Sequence, residues 1–137
     1  MNELNLSELL VPSKDIEVSY PGLEGFKVNI AFLSRDELVK IRKKSSKTIF
    51  KNRQSSEELN EELFLKLYVE STVKGWTGLK YKYLNQLLLV DTSKVENVEK
   101  TLEFNLDNAV LLMKNSTEFD AFISETVSDL QAFTKTS

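Results

Sequence analysis

The side chains that could carry chemistry in this sequence are carboxylates, lysines and hydroxyls, because the 137 residues include neither cysteine nor histidine. The missing cysteine excludes thiol nucleophiles, disulfides and cysteine-ligated metal centres. The missing histidine excludes the usual proton shuttle near neutral pH, and with it serine–histidine triads and zincin-type sites. What remains is carboxylate, lysine or phosphate-loop chemistry, or a protein that works by contact alone.

Paired carboxylates are the first candidates for such chemistry. Three pairs stand out: Glu57/Glu61, Glu58/Glu62 and Asp107/Asp120. They could serve acid–base or metal chemistry, but glutamates on a helix surface are far more often solubilising, and no Asp/Asn/Gly calcium loop is present. The four glycines, at positions 22, 25, 75 and 78, match neither GxxxxGK(S/T) nor GxGxxG. We therefore expect no enzyme, no cofactor, and no catalytic or metal-binding residue.

The strongest electrostatic feature is a basic segment at residues 40–53, which carries +7 while the rest of the chain carries −10, for a total of −3. Its cations are Lys40, Arg42, Lys43, Lys44, Lys47, Lys51 and Arg53. Such a segment can neutralise nucleic-acid phosphates, with Phe50 as a stacking surface. Alternatively it is a solvated face that neutralises nearby glutamates, or that contacts an acidic protein. The acidic remainder would repel nucleic acid at long range, which favours a protein contact.

Period-2 alternation predicts an N-terminal β-hairpin. Apolar residues alternate with polar ones over 16–20 and again over 26–32, and residues 21–25 form a turn with proline and glycine. A hairpin is marginal in water by itself, so helices must cover its apolar face. Residues 1–14 are expected to be a flexible leader whose leucines can dock on the body, and residues 15–137 a single domain.

Helical spacing and capping residues predict the rest. Ser34 caps a helix that enters the basic segment and frays near Ser45-Ser46. Ser55 or Ser56 caps a second helix, which runs to about Lys74 and is ended by Gly75. Residues 79–90 fit a strand, a short helix or an ordered loop, and Val95, Val98 and Leu102 have helical spacing. The expected fold is α+β and mostly α-helical, with the N-terminal β-hairpin packed on a bundle of four to six helices.

Two further helices are expected near the C-terminus. Asn105 caps the first, which ends at Asn115, and Ser116 or Thr117 caps the second. The apolar face of the second consists of Phe119, Phe122, Ile123, Val127, Leu130 and Phe133.

The single tryptophan, Trp76, lies between Gly75 and Gly78. At this position the indole fits a core plug better than a binding anchor, although tryptophan is common at interface hot spots.

These motifs resemble those of tail assembly chaperones from long-tailed (siphophage-type) bacteriophages. The resemblance lies in Trp76-Thr77-Gly78-Leu79, in Phe104-Asn105 before a leucine-rich helix, and in Phe119-Asp120-Ala121-Phe122-Ile123 followed by Phe133. It covers roughly residues 15–133, including the order of two strands, a short helix and a longer helix. The interval from Leu79 to Phe104 is long for the family and indicates an insertion.

The resemblance implies a binding protein that holds the tape measure protein in solution, supports tail tube assembly and is absent from the finished virion. Expected partners are the tape measure protein and the tail tube protein, further copies of the chain, or a frameshifted longer form. The expected contact residues are Trp76, Leu79, Phe119, Phe122 and Phe133. No signal peptide or membrane span is visible, so the host cytoplasm is the expected location. The alternatives are a small nucleic-acid-binding regulator that uses the basic segment, and a structural component of the virion.

Overall fold

The computed structural model describes residues 3–11, 14–129 and 133–134, and its fold is α+β and mostly helical. The strands are β1 (Asp15–Ser19), β2 (Lys27–Ala31), β3 (Ser46–Lys51), β4 (Gln54–Leu59) and β5 (Val73–Thr77). The helices are α1 (Leu6–Leu9), α2 (Arg35–Ser45), α3 (Glu61–Thr72), α4 (Leu84–Leu87), α5 (Leu106–Asn115) and α6 (Thr117–Ser128). The predicted fold class is confirmed.

The N-terminal hairpin forms as predicted. Strands β1 and β2 pair antiparallel from Asp15↔Ala31 to Ser19↔Lys27, and the Tyr20 N–H donates to the Phe26 carbonyl at 2.9 Å. The single turn α1 lies before it, and the leucines of the leader at positions 4, 6, 9 and 10 are exposed rather than docked on the body.

A third strand, β5, joins this sheet beside β2 in the order β1-β2-β5, with Val28 opposite Trp76. The prediction that the preceding helix reaches Lys74 and that Gly75 ends it is wrong. Helix α3 ends at Thr72, and Gly75 lies within β5 opposite Asn29. The β-branched residues at this point and the pairing partner offered by β2 favour the strand.

Strands β3 and β4 form a second hairpin, with a two-residue turn at Asn52 and Arg53. The prediction that α2 stops near Ser45-Ser46 is confirmed, but the helix predicted from Ser55 or Ser56 does not begin there. Residues 54–59 pair with β3 instead, and α3 begins at Glu61 with Asn60 as its cap, whose Oδ1 accepts from the Leu63 N–H at 3.1 Å.

The other predicted caps are confirmed. Hydroxyl or amide oxygens of Ser34, Asn105 and Ser116 accept from the N–H groups of Glu37, Asn108 and Phe119 at 3.2, 2.7 and 3.1 Å. Helix α6 ends at Ser128, earlier than predicted. The predicted helix residue Leu130 lies outside the described residues, and Phe133 is buried against Phe32 with ring centroids 5.4 Å apart.

One core joins the sheet to helices α3, α5 and α6. Its most completely buried large side chains include Phe26, Phe119, Ile30, Leu79 and Ile123. The interval that the sequence left open begins with a 3₁₀ turn and α4. Residues 98–102 then run back along 79–82, with Leu102 N–H donating to the Leu79 carbonyl at 2.7 Å and Tyr81 N–H to Lys100 at 2.9 Å. The helical spacing of 93–102 therefore yields only a 3₁₀ turn at Thr92–Lys94.

Candidate partner-binding surface

The structure places four of the five expected contact residues in the core. Trp76 is 7% exposed, and Leu79, Phe119 and Phe133 are also buried, whereas Phe122 is half-buried against Tyr20. These residues therefore fix the positions of the sheet and the last helices rather than form a surface of their own.

The packing around Trp76 explains its burial. Its Nε1–H donates to the Leu102 carbonyl at 3.0 Å, and the Phe104 ring packs edge-on with centroids 5.0 Å apart. The rings of Phe26 and Phe119 also pack at steep angles to the indole, with ring centroids 6.5 and 6.3 Å from that of Trp76. The tryptophan is a core plug that joins β5 to the segment before α5, as the core interpretation of its sequence motif predicts.

A concave surface lies between α3 and α5, and we call it the α3–α5 groove. It is an open groove of about 840 Å³. Its apolar floor is formed by Leu65, Val110 and Leu111, and Leu111 is 56% exposed. Its rim carries charges of both signs, from Glu61, Glu62, Lys66, Asp107 and Lys114. Lys114 Nζ lies 4.0 Å from Glu62 Oε1 across it, a solvent-exposed pair that contributes little to stability.

Sequence reasoning missed this groove, although α5 contains a signal for it. The residues of α5 that face the core are Ala109, Leu112 and Met113, spaced as one helix face. Val110, which is half-buried against the core, and Leu111, which is exposed, lie beside that face and extend the apolar run to the helix surface. An apolar run wider than one helix face indicates a second contact, but the sequence does not show that α3 supplies the opposite wall.

The basic segment is divided between two elements. Lys40 lies in the middle of α2, and Arg42, Lys43 and Lys44 lie in its last turn, where positive charge complements the helix dipole. The other three cations, Lys47, Lys51 and Arg53, lie on the second hairpin. Lys40 pairs with Asp36 at 3.3 Å and Glu37 at 3.5 Å, and these carboxylates raise the pKa of its ammonium group.

The other six cations of the segment form no ion pair within the part of the chain that the structure describes. The Arg42 guanidinium lies over the Phe64 ring at 5.7 Å. The sequence also suggested that the basic segment neutralises nearby glutamates, and one such position is the cross-strand pair of Lys47 and Glu58 in the second hairpin. Most of this positive charge is therefore available to a partner.

The carboxylate pairs do not form the arrangement that one continuous helix would give. Glu57 and Glu58 lie on β4, whereas Glu61 and Glu62 lie in the first turn of α3. Asp107 and Asp120 lie in the first turns of α5 and α6. Within residues 3–11, 14–129 and 133–134, no group of three or more acidic side chains is placed to hold a metal ion.

Within the same ranges, no helix is long and apolar enough to cross a bilayer.

No protein-family model, curated protein or solved structure matches this chain. The features that bear on function are therefore the α3–α5 groove, the exposed cations and the motif resemblance of the sequence.

Proposed function

We propose that this protein is a non-enzymatic tail assembly chaperone of a long-tailed bacteriophage. It binds the tape measure protein in the host cytoplasm, keeps it soluble while the tail tube assembles, and is absent from the finished virion. The observation that carries the proposal is the α3–α5 groove, with its exposed apolar floor and a charged rim. Grooves of this kind accept the apolar face of an amphipathic helix.

The dimensions of the groove suit a helical client. The residues that line the groove run from Glu61 to Lys66 on α3 and from Asp107 to Lys114 on α5. At about 1.5 Å per residue these stretches are about 8–11 Å long, which covers about two turns of a docked helix. A long protein with a repeated apolar stripe aggregates unless that stripe is covered. Several copies of the chaperone, each covering a few turns, would coat such a client.

The family-like motifs support this proposal indirectly. Trp76, Leu79 and Phe119 hold β5 and α6 in the core, and α6 in turn packs against α5. The motif residues are thus the structural support of a binding surface whose own residues are Leu65, Val110 and Leu111. This moves the expected contact from the buried aromatic residues to the outer side of α5.

The test is co-expression with the tape measure protein that the proposal expects a neighbouring gene to encode, using two matched leucine variants. Leu111→Glu places a charge on the groove floor, and Leu89→Glu places one on a fully exposed leucine outside the groove. We expect the unmodified chain and Leu89→Glu to keep the client soluble, and Leu111→Glu to leave it in the pellet while retaining a native circular-dichroism spectrum.

Each outcome bears on a different part of the proposal. If the unmodified chain does not keep the client soluble, the proposed function is wrong. If all three chains keep it soluble equally well, the function stands but the α3–α5 groove is not the binding site.

Nucleic-acid binding is the second candidate function, and the unpaired-cation observation favours it. Lys43, Lys44 and Lys47 lie outside any ion pair within the described residues, and Phe50 is exposed nearby. This candidate requires DNA or RNA binding that weakens steeply with salt and is lost when those three lysines are replaced by glutamine. Absence of binding at about 50 mM salt would eliminate it.

A further inference from the structure

The second hairpin, residues 46–59, projects from the domain, and we call it the hairpin arm. Every residue of β4 is exposed, and in β3 only Ser46 and Ile49 are half-buried. Its base is tied to the domain where the Asn60 N–H donates to the Ser45 carbonyl at 2.8 Å. A two-stranded ribbon without a packed face is marginal in water, so this arm gains stability if a second surface covers it.

The tip of the arm combines an exposed aromatic ring with two cations. Phe50 is 79% exposed, and Lys51 and Arg53 lie beside it in the chain. Asn52 and Arg53 have φ values of 54° and 64°, the left-handed pair of a type I′ turn. Glycine is preferred at the second position of that turn, because a side chain disfavours the left-handed backbone conformation. Arg53 occupies this position and places a cation at the tip. Such a cost at an exposed site indicates a function for the side chain.

We infer that the tip of the hairpin arm docks in the α3–α5 groove of a second copy of this chain. Phe50 would cover the apolar floor at Val110 and Leu111, and Lys51 and Arg53 would meet Glu61 and Glu62 on the rim. Residues 46–56 carry three cations and no acid, and the groove rim carries three acids, Glu61, Glu62 and Asp107, against two lysines, Lys66 and Lys114. The tip and the groove are therefore complementary in apolar character, and a cationic tip meets a rim with an excess of one negative charge.

The arm cannot fill the groove of its own chain. Its base, at Lys47, Glu58 and Leu59, borders the same end of α3 that carries Glu61 and Glu62. Strands of six residues at about 3.3 Å per residue place the tip about 17–20 Å from that base. Because the base adjoins Glu61 and Glu62, a tip at that distance from the base can meet these two residues only in a neighbouring molecule.

The contact joins two different surfaces, so every copy can both donate an arm and accept one. Contacts of this head-to-tail kind produce rings or open chains of molecules. The inference stands without the proposed client. If the client also uses the groove, which depends on the proposed function, then client binding and self-association exclude each other, and the arm protects the apolar floor until the client arrives.

Complementation between two variants tests the inference with purified protein and no client. Phe50→Ser removes the donor ring but leaves the groove intact, and Leu111→Glu spoils the groove but leaves the arm intact. Analytical ultracentrifugation should show mass rising with concentration for the unmodified chain and for Leu89→Glu, and monomers for each test variant alone. An equimolar mixture of the two test variants should form a dimer, because one intact arm meets one intact groove.

A third variant measures the contribution of the tip cation. Arg53→Gly suits the left-handed turn, so the arm is retained while one charge is lost. We expect its self-association to weaken by roughly two- to five-fold at low salt, the range of an exposed ion pair, and the difference to shrink at high salt. An unchanged association constant would overturn the role assigned to Arg53.

Three results would overturn the inference as a whole. The first is an unmodified chain that remains monomeric at every concentration. The second is a Phe50→Ser variant that associates normally, which would assign the contact to another segment, such as the exposed leader. The third is association that disappears after nuclease treatment, which would assign the arm to nucleic acid.

Discussion

Replacing Gly78 by alanine is expected to destabilise the fold far more than replacing Gly22, although both glycines have positive φ values, of 74° and 82°. The difference lies in their surroundings. A Cβ atom at Gly78 would overlap the backbone carbonyl of Gly25, where β5 leaves the sheet beside the loop of the first hairpin. A Cβ atom at Gly22 would meet nothing within 4 Å.

The expected magnitudes follow from these two contributions. A non-glycine residue in the left-handed region costs about 1–2 kcal/mol, and alanine recovers about 0.4–1 kcal/mol by restricting the unfolded chain. Gly22→Ala should therefore lose about 0.5–1.5 kcal/mol of unfolding free energy. Gly78→Ala adds the cost of forcing two backbone segments apart, about 1–3 kcal/mol, for a total of about 1.5–4.5 kcal/mol.

Urea denaturation followed by circular dichroism measures both variants on one scale. Gly75→Ala is the matched control, because Gly75 lies in β5 without positive φ and with open space at its Cβ position, so its free energy of unfolding should change by less than about 1 kcal/mol. Equal losses for Gly78→Ala and Gly22→Ala would refute the reasoning, since they would show that the close approach to Gly25 contributes nothing.

Two other predictions concern the interval between β5 and α5. Trp76→Phe should lower the free energy of unfolding by about 1–3 kcal/mol, because the Leu102 carbonyl loses its indole donor, and Trp76→Ala should lower it by about 3–5 kcal/mol. Chemical denaturation measures both. A loss below about 0.5 kcal/mol for Trp76→Phe, on the order of measurement error, would show that the hydrogen bond does not stabilise the fold. Hydrogen bonds from Lys82 and Lys80, at 2.7 and 3.1 Å, hold the pKa of Glu99 below its usual value. The contribution of Glu99 to stability should therefore be present above the unfolded pKa of about 4.3 and be lost as pH falls through the lower folded pKa. NMR titration measures that folded pKa, and urea denaturation at several pH values should show the loss for the unmodified chain but not for Glu99→Gln.

Local signals in the sequence predicted the elements that depend on local contacts. The caps at Ser34, Asn105 and Ser116 each bond an N–H group three residues away, so a short stretch of sequence contains both partners. The first hairpin was predictable for the same reason, since only seven residues separate its strands and the alternation identifies its buried face.

The strands that the sequence did not reveal depend on distant partners or on weak patterns. Strand β5 is stabilised by β2, across 48 residues between Val28 and Trp76. Strand β4 has no apolar alternation, and its polar residues 54–58 are equally typical of a helix start. The sequence did not reveal the α3–α5 groove either, because its α3 wall begins only at Glu61, where the hairpin arm ends.

The pairing of β2 with β5 also constrains the order in which a nascent chain can fold. Strands β1 and β2 leave the ribosome first, but the strand that completes their sheet follows only after α2, the hairpin arm and α3 have been synthesised. Ile30 and Phe26 remain uncovered for longer still, because α6 supplies Phe119 and Ile123 to the same core. A sheet closed across so long a stretch of chain forms slowly compared with local helices. The hairpin that is synthesised first is therefore among the last elements to reach its native environment, and a cellular chaperone that binds exposed apolar strands has its longest opportunity there.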